Sequence, residues 1–320
     1  MSLPEQAPEL VAPPVPAAQD PDDARRGVVA ALLAYSMWGF LPILFRLLDG
    51  VGSVLIVAER TVWSMVLLAL IIAFTGGFGE IRALLSDRRR MRVVALSALL
   101  LGGNWLLYVY AVESGQVLEA SFGYFINPLV NIAIGMIFLG ERQNMLQTIS
   151  IGIAVVAILI QALALGSIPY IALGLAFTFG FYGLIRKTAQ AGPTTGLFAE
   201  TLVVSPIALG YIGYSIATAG IGVHADPATM ALLVFTGPMT AIPLLLFAYG
   251  VRRLRMTTIG MFQYISPTLQ FLVAILLFGE ELNGTRLLSF ALIWLSLVVF
   301  SWDSFRRHRH AAQAVEGASA

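Results

Sequence analysis

Long apolar stretches recur from residue 27 to residue 302, and they constrain this chain more than any other feature. Of its 320 residues, 58% are hydrophobic and 12% are charged, whereas a soluble domain carries about 25% charged residues. An apolar stretch of about 20 residues crosses a bilayer as an α-helix, because lipid offers the backbone no hydrogen-bonding partners. The sequence therefore predicts an all-α polytopic membrane protein whose first partner is the lipid bilayer.

Ten transmembrane helices fit this pattern. They are expected at 27–47, 53–75, 93–112, 117–139, 145–164, 169–187, 194–218, 229–251, 256–278 and 286–302. Residues 1–26, rich in Pro, Ala and acidic residues, lack the apolar core of a signal peptide and are expected to form a disordered cytoplasmic tail. Residues 303–320 are expected to form a short, loose cytoplasmic tail.

The distribution of Lys and Arg predicts the orientation in the membrane. With the N-terminus inside, every basic residue except Arg46, Arg60 and Arg286 falls on the cytoplasmic side. We therefore expect a multi-pass protein of the inner (plasma) membrane with both termini in the cytoplasm. The basic residues lie in short clusters between apolar stretches, which argues against a nucleic-acid partner.

Two halves of the chain resemble each other. FINPLVNIAIGMIFLGE, ending at Glu141, aligns without gaps on YISPTLQFLVAILLFGE, ending at Glu280, and ALLAYSMWGFLPILFR lies over ALGLAFTFGFYGLIRK at a similar offset. Five spans per half is an odd number, so the two copies, 27–164 and 169–302, are expected to be inverted repeats. Such repeats are typical of secondary transporters, which bind substrate between the halves and work by alternating access.

Several motifs are similar to those of one known family. ALLAYSMWGFLPILF, GGNWLLYVYAV, EASFGYFINPLVN, GMIFLGER, ALGLAFTFGFYGLIRK and FQYISPTLQF resemble the RarD-type branch of the EamA family, in the drug/metabolite transporter superfamily. The resemblance runs from about Arg26 to Trp302. It implies a ten-helix permease with both termini inside, a central cavity framed by both halves, and peripheral fifth and tenth spans.

Polar side chains inside the predicted spans are candidates for the substrate site, because a charge in hydrocarbon is costly, about 2.5 to 3.5 kcal/mol at the helix centre. Arg60 is the leading candidate, with snorkelling to the membrane surface as the alternative. The other predicted substrate-binding residues are polar or aromatic and recur at helical spacing: Asn104, Trp105, Tyr108, Tyr124, Asn127, Asn131, Gln263, Tyr264 and Gln270. Interhelical hydrogen bonding of the amides and packing of the aromatic rings are the alternatives.

A second set of residues is predicted to act in coupling or gating. Glu59 and Glu200 occupy equivalent positions in the two halves and are candidates for proton carriers or gates, with helix-end capping or interfacial exposure as the alternatives. Glu119 is a further candidate. Pro128 and Pro267 also correspond, and each lacks a backbone donor, which can bend a helix at the depth of the site.

These features favour a secondary transporter of small organic metabolites or drugs. An ATP-driven pump is excluded for this chain alone, because its only lysine, Lys187, follows an arginine and no phosphate-binding loop. No enzyme activity, cofactor or metal is predicted, and the three histidines, His224, His308 and His310, fall in loop or tail. A lipid flippase, a channel and, less favoured, a lipid-phosphate enzyme are the alternatives; proton coupling, a homodimer and the substrate are left open.

Overall fold

The computed structural model describes residues 21–114, 116–165, 169–279 and 284–319, without the side chains at 21, 112, 113, 117–121, 165, 286 and 308–319. Every regular element in these ranges is an α-helix. The helices are α1 (Pro21–Leu47), α2 (Ser53–Thr75), α3 (Phe78–Ser86), α4 (Arg88–Glu113), α5 (Val117–Leu139), α6 (Met145–Leu165), α7 (Tyr170–Thr188), α8 (Pro193–Ala219), α9 (Gly222–Ala225), α10 (Pro227–Val251), α11 (Met256–Gln263), α12 (Ile265–Leu276) and α13 (Gly284–Ser319).

Nine of the ten predicted spans correspond, in the described ranges, to helical stretches long and apolar enough to cross a membrane. They are α1, α2, α4, α5, α6, α8, α10, α13 and the combined α11–α12 stretch. The prediction of an all-α membrane protein is confirmed. The tenth span, α7, stays a prediction: this helix packs against α4, α5 and α10, and its last turn carries Arg186 and Lys187.

Helix extends beyond the apolar spans at both ends of the described chain, and residues 1–20 of the predicted N-terminal tail lie outside the described residues. In the described part of the chain, α1 is already helical from Pro21 onward. At the other end, α13 continues to Ser319. The Asp303 carboxylate pairs with Arg307 one turn later (2.9 Å), which supports the helix beyond the apolar stretch.

The predicted ninth span is interrupted, whereas the fourth is not. It is divided at Tyr264 into α11 and α12, and the N–H of Tyr264 donates to the carbonyl of Met261 (3.3 Å), which tightens the last turn of α11. Pro267 has no N–H to donate to the carbonyl of Gln263 four residues earlier, which weakens the helix at this point. In contrast, α5 runs without interruption through Pro128.

The two ends of the bundle differ in charge, and one of them is marked by a cluster of arginines. Helix α1 begins where α10 ends, and Arg253 Nε donates to Asp23 Oδ1 there (2.7 Å). We call this the basic end, because Arg25, Arg26 and Arg253 lie on it together with Arg252. The far end is the opposite one, where α1 ends and α2 begins.

Two helices, α6 and α13, pack against each other away from the centre of the bundle. They are joined by reciprocal hydrogen bonds: Ser150 Oγ donates to the carbonyl of Ser296, and Ser296 Oγ donates to that of Ser150, both at 2.8 Å. Both serines are fully buried. Small side chains allow two helix backbones to approach closely in a membrane, so this contact fixes where α6 and α13 cross.

The core is built from the helices at the centre. Ring clusters fill it, including Tyr182 stacked on Phe247 with their centroids 6.2 Å apart. Helix α11 approaches α5 so closely that a Cβ atom at Gly260 would lie 2.6 Å from the carbonyl oxygen of Pro128. The predicted fourth and ninth spans are therefore in direct contact at the centre.

Candidate functional site

A cavity lies between α1, α2, α4, α5, α7, α10 and the α11–α12 stretch. It encloses about 950 Å³ of space not filled by atoms, including its opening to solvent. Most of the residues predicted to bind substrate lie in its wall, and so does one predicted gating residue: Arg60, Asn104, Trp105, Tyr108, Tyr124, Asn127, Gln263, Gln270 and Pro267.

The cavity occupies the half of the bundle nearest the far end. Arg60 is in the second turn of α2, which begins at the far end, and Tyr108 is in the last turns of α4, which ends there. Gln263 and Ser266 line it near the middle of the α11–α12 stretch. Neither α6 nor α13 contributes to the wall, in agreement with the expected peripheral position of the fifth and tenth spans.

Arg60 is the cation of the cavity. Its guanidinium carbon lies 4.3 Å from the centroid of the Trp105 ring, a cation–π geometry. Its Nε atom is buried without a hydrogen-bond partner, and no salt bridge joins it to a described carboxylate. Within the described part of the chain, Arg60 therefore lines the cavity beside its aromatic wall without a carboxylate partner.

Aromatic rings form much of the wall. Tyr108 and Tyr124 face each other with ring centroids 6.4 Å apart. On the other side of the cavity, Tyr35 and Trp38 of α1 lie 5.6 Å apart, and Phe179 of α7 packs edge-on against Trp38 at 5.8 Å. Such a wall suits a solute with an aromatic or apolar body.

The amide side chains of the wall differ in whether they have hydrogen-bond partners within the protein. Asn104 Nδ2 donates to the Leu175 carbonyl and to Thr178 Oγ1, both at 2.8 Å, so it joins α4 to α7. Gln270 Nε2 donates to the Trp38 carbonyl at 3.2 Å and joins α12 to α1. The Oδ1 atom of Asn127, in contrast, is buried without a partner in the described residues, which leaves it able to accept a bond from a ligand.

Two of the predicted binding residues lie outside the wall. Asn131 is fully buried, and its Nδ2 donates to Gln263 Oε1 at 2.6 Å, beneath the cavity floor. Tyr264 is also fully buried, and its hydroxyl has no partner among the described residues. Asn131 therefore reaches the cavity only through the side chain of Gln263.

The predicted gating carboxylates lie at opposite ends of the bundle, away from the cavity wall. Glu59 is near the far end, where it accepts a bond from Trp63 Nε1 (2.9 Å) and lies 2.7 Å from His224 Nε2. Glu200 is near the basic end, where it accepts bonds from Ser97 (2.7 Å), Tyr182 (3.3 Å) and Arg186 (3.3 Å). The side chain of Glu119 falls outside the described residues, and Pro128 contacts Gly260 beneath the cavity.

The basic end is closed by polar contacts. Glu141, at the end of α5, accepts bonds from the N–H groups of Met256 (2.6 Å) and Thr257 (3.0 Å) at the start of α11, and from Thr257 Oγ1 (2.6 Å). Lys187 Nζ donates to the carbonyls of Val251 (2.9 Å) and Leu254. These bonds hold α5 to α11 and α7 to α10 between the cavity and the basic end.

Several residues at the site were not predicted from the sequence. Tyr35, Trp38 and Phe179 lie in the motifs AYSMWGF and AFTFGFYG that carried the family resemblance, so the recurrence of aromatic residues there was the available signal. His224 was expected in a loop, away from any intramembrane catalytic base, and was not among the predicted site residues. Its contact with Glu59 joins residues 165 positions apart, and nothing in the local sequence indicates such a pair.

Comparisons with known proteins place the chain in a family. Residues 25–163 match the model of the EamA-like transporter family. The chain is 43% identical over 293 residues to Protein RarD of Salmonella typhi, covering 91% of this chain and 99% of the relative. It is 40% identical over 297 residues to Protein RarD of Escherichia coli, with 92% and 100% covered. This chain is a RarD-type member of the EamA family.

Other similarities agree with EamA membership. An uncharacterized transporter of Vibrio cholerae is 40% identical over 297 residues, covering 92% of this chain and 98% of the relative. A solved crystal structure superposes with a TM-score of 0.68 at 16% identity, covering 86% of this chain and 97% of that one, which shows a shared fold. The family resemblance predicted from the motifs is confirmed.

Membership of the EamA family indicates the general class of function. The protein is an integral inner-membrane protein of a drug/metabolite transporter family, and both the family and its relatives are named as transporters. A small-molecule substrate and the lipid bilayer are therefore its general partners.

Proposed function

We propose that this protein is a secondary transporter that moves a small organic solute across the inner membrane by alternating access. The unpaired guanidinium of Arg60 in an aromatic cavity carries the proposal. An arginine inside a membrane-spanning helix without a described counter-ion is costly unless a ligand supplies the negative charge. The solute we infer has an anionic group for Arg60 and an aromatic or apolar body for the surrounding rings.

An inverted pair of five-helix repeats, 27–164 and 169–302, is part of this proposal. If α1, α2, α4, α5 and α6 correspond to α7, α8, α10, α11–α12 and α13, the helix contacts occur in matching pairs. The contact of α1 with α10 corresponds to that of α7 with α4, and the contact of α2 with α10 corresponds to that of α8 with α4. The contacts of α2 with α8 and of α6 with α13 correspond to themselves, as a pseudo-two-fold axis between the repeats requires.

The orientation in the membrane follows from the basic end. Arg25, Arg26, Arg252, Arg253 and Arg255 cluster there, and such clusters remain on the cytoplasmic side of a bacterial membrane. With the basic end inside and both termini in the cytoplasm, the cavity lies in the periplasmic half. The polar contacts of Glu141 and Lys187 then close the cytoplasmic side, so the conformation is outward-facing.

Proton coupling and a homodimer are further parts of the proposal. The buried carboxylates Glu59 and Glu200 support coupling, because each sits at one end of the pathway beside groups that bear or share protons. A homodimer would use the lipid-facing helices, and its test is the mass of the detergent-solubilised protein.

The test of the proposed function is a binding screen on the purified protein, because a ligand that binds only the folded state raises the melting temperature. The screen compares aromatic carboxylates with their uncharged amides, and hits are then tested for counterflow in proteoliposomes. We expect carboxylates to stabilise the protein, amides not to, and the hits to exchange across the membrane. Scrambling of a fluorescent phospholipid without any stabilising solute would instead support a lipid flippase.

A further inference from the structure

Two acidic residues at equivalent positions of the repeats, Glu59 and Glu200, face different kinds of cation. Glu200 pairs with Arg186, whose side chain is 2% exposed, and the guanidinium of arginine keeps its charge at any physiological pH. Glu59 pairs with His224 at 2.7 Å, and histidine is the side chain that gains and loses charge between about pH 5 and pH 8. The two carboxylates therefore differ in whether their partner carries a permanent charge.

The Glu59–His224 pair is shielded and fixed in position. The exposed fractions of the two side chains are 5% for Glu59 and 12% for His224. Trp63 Nε1 donates to the second carboxylate oxygen of Glu59 at 2.9 Å, which holds the carboxylate in place. The Nδ1 atom of His224 has no partner among the described residues, so the contact with Glu59 is the only polar bond found for this imidazole.

We propose that Glu59 and His224 together form a proton-binding site that couples transport to the pH of the periplasm, while Glu200 and Arg186 form a permanent clamp at the cytoplasmic end. The coupling part rests on the proposed transport function, whereas proton binding by the pair does not. This assigns the coupling role to one of the two equivalent carboxylates and adds His224 to the functional residues.

The physical consequence of proton binding is the attachment of α9 to α2. When the imidazole is protonated, the pair is a compact salt bridge without net charge. Loss of this proton leaves the Glu59 charge in a shielded place, with a neutral partner, and such a charge is costly unless it regains water or a cation. The proton therefore stabilises α9 on α2, and this attachment is weakened when the proton is lost.

The position of the pair connects it to the cavity. Arg60 follows Glu59 in α2, and its guanidinium lies over Trp105 in the cavity wall. Helix α9 leads through Asp226 directly into α10, which packs along α1 and α2. A change in the attachment of α9 is therefore transmitted both to the cation of the cavity and to a helix that borders it.

Other charged groups also lie at the far end: Arg46 and Asp49 are exposed at the end of α1, and Asp226 precedes α10. Asp226 accepts bonds from the side chain and N–H of Thr229 (2.6 and 2.9 Å), and these bonds hold the pKa of Asp226 below its usual value. Among the helices packed against α2, α10 carries no charged residue and α8 carries only Glu200 at the opposite end. Helix α4 has its arginines at the basic end, and the side chain of Glu113 at its far end lies outside the described residues.

The remaining titratable side chains on those three helices are tyrosines: Tyr108, Tyr110, Tyr211, Tyr214 and Tyr249. A tyrosine hydroxyl ionises only near pH 10 in its unperturbed state. They cannot supply a response near neutral pH. The pair is thus the candidate for such a response at this end of the described chain.

The test measures the attachment of α9 without requiring a substrate. The chain has no cysteine, so Ala225→Cys creates a single site for a nitroxide spin label on exposed residue 225 of α9. We expect the mobility of the label to increase between about pH 5 and pH 8. His224→Gln, which keeps a hydrogen-bonding group but cannot be protonated, should abolish this increase. Glu59→Gln is a second variant with the same expected result.

Two controls separate the pair from other titrating groups. A label at Ser86→Cys, on an exposed position at the basic end, should show the same mobility at every pH. The double variant His308→Gln/His310→Gln removes the other two histidines and should leave the response at Ala225→Cys intact. An unchanged pH response in both the His224→Gln and Glu59→Gln backgrounds would overturn the proton-binding site.

The consequence for transport is measured separately in proteoliposomes. We expect the rate of solute uptake to depend on external pH in the wild type and to lose this dependence in His224→Gln. If wild-type uptake is independent of external pH while the label still responds to pH, the coupling is overturned. An intact label response in a protein that moves no solute contradicts the proposed function and supports the proton site.

Discussion

The guanidinium of Arg60 lies over the ring of Trp105, 4.3 Å from its centroid, and this pair joins α2 to α4 inside the cavity. The arrangement places the positive charge against a surface that attracts it without neutralising it. An anionic solute can therefore approach the same guanidinium from the open side of the cavity.

The first prediction concerns this cation. Arg60→Lys should reduce the affinity for an anionic solute roughly tenfold, about 1.4 kcal/mol, because an ammonium group cannot reproduce the planar, two-pronged donors of guanidinium or its stacking on Trp105. The measurement is the concentration dependence of thermal stabilisation, followed by counterflow. Arg88→Lys, an exposed residue at the basic end, is the control and should behave as the wild type. Equal affinities for Arg60→Lys and wild type would make Arg60 an anchor, and the site would then be sought among Asn104, Tyr108, Asn127 and Gln263.

The second prediction concerns topology. A reporter fused after Arg309 and one inserted near Arg89 should both be cytoplasmic, and one near Asp226 should be periplasmic. The reason is the clustering of arginine at the basic end, which the cell retains on the cytoplasmic side. Reversal of any two of these locations would rule out the inverted repeat.

The third prediction concerns the close packing of α10 on α2. A Cβ atom at Gly237 would lie 2.5 Å from Trp63 Cβ and 2.6 Å from its carbonyl carbon, and Ser64 Oγ donates to the Gly237 carbonyl at 3.1 Å. Gly237→Ala should therefore lower the free energy of unfolding by about 1 to 3 kcal/mol, the usual cost of overpacking. The readout is the melting temperature of the purified protein.

A matched control for this change is Gly210→Ala in α8, where an added Cβ would meet nothing within 4 Å. It should be neutral or stabilising by up to about 1 kcal/mol, because alanine is the better helix former. If both variants lose the same stability, the close contact between α10 and α2 at Gly237 does not contribute to the difference.

The fourth prediction concerns the closure of the basic end. Glu141→Gln replaces a charged acceptor of three hydrogen bonds at the start of α11, where bonds to a charged group contribute about 1.5 to 3 kcal/mol each. We expect a cysteine introduced at the buried Val251 to react several-fold faster with a membrane-impermeant reagent applied to the cytoplasmic side. Glu80→Gln, an exposed acidic residue at the same end, is the control. If Glu141→Gln and Glu80→Gln give the same labelling rate, Glu141 only caps α11 and does not hold the cytoplasmic side closed.

Much of the fold could be predicted, because lipid imposes a simple rule on the sequence. Each apolar stretch had to be a helix, and nine such stretches correspond to helices long enough to span. The short helices α3 and α9 were missed because neither is long enough to leave an apolar stretch of membrane length. The interruption at Tyr264 could not be told from the uninterrupted helix at Pro128, since both prolines lie in nearly the same local sequence.

The candidate site was predictable where polar residues stand out against an apolar background. Arg60, Tyr108 and Asn127 interrupt apolar stretches, and all three line the cavity. The polar pairs near the two ends were not predictable, because Glu59 meets His224 and Glu141 meets Thr257 only through long-range packing. Local sequence gives the direction of a side chain along its own helix but not the residue it will meet.

The reciprocal hydrogen bonds between Ser150 and Ser296 have a mechanical consequence. They join α6 and α13 at one crossing point outside the cavity, so these helices can turn about that point but cannot slide along each other without breaking both bonds. We expect this crossing point to stay fixed during transport, while the helices around the cavity change their packing contacts. A bulky side chain at either serine should then slow solute turnover while leaving the affinity of the cavity for its solute unchanged.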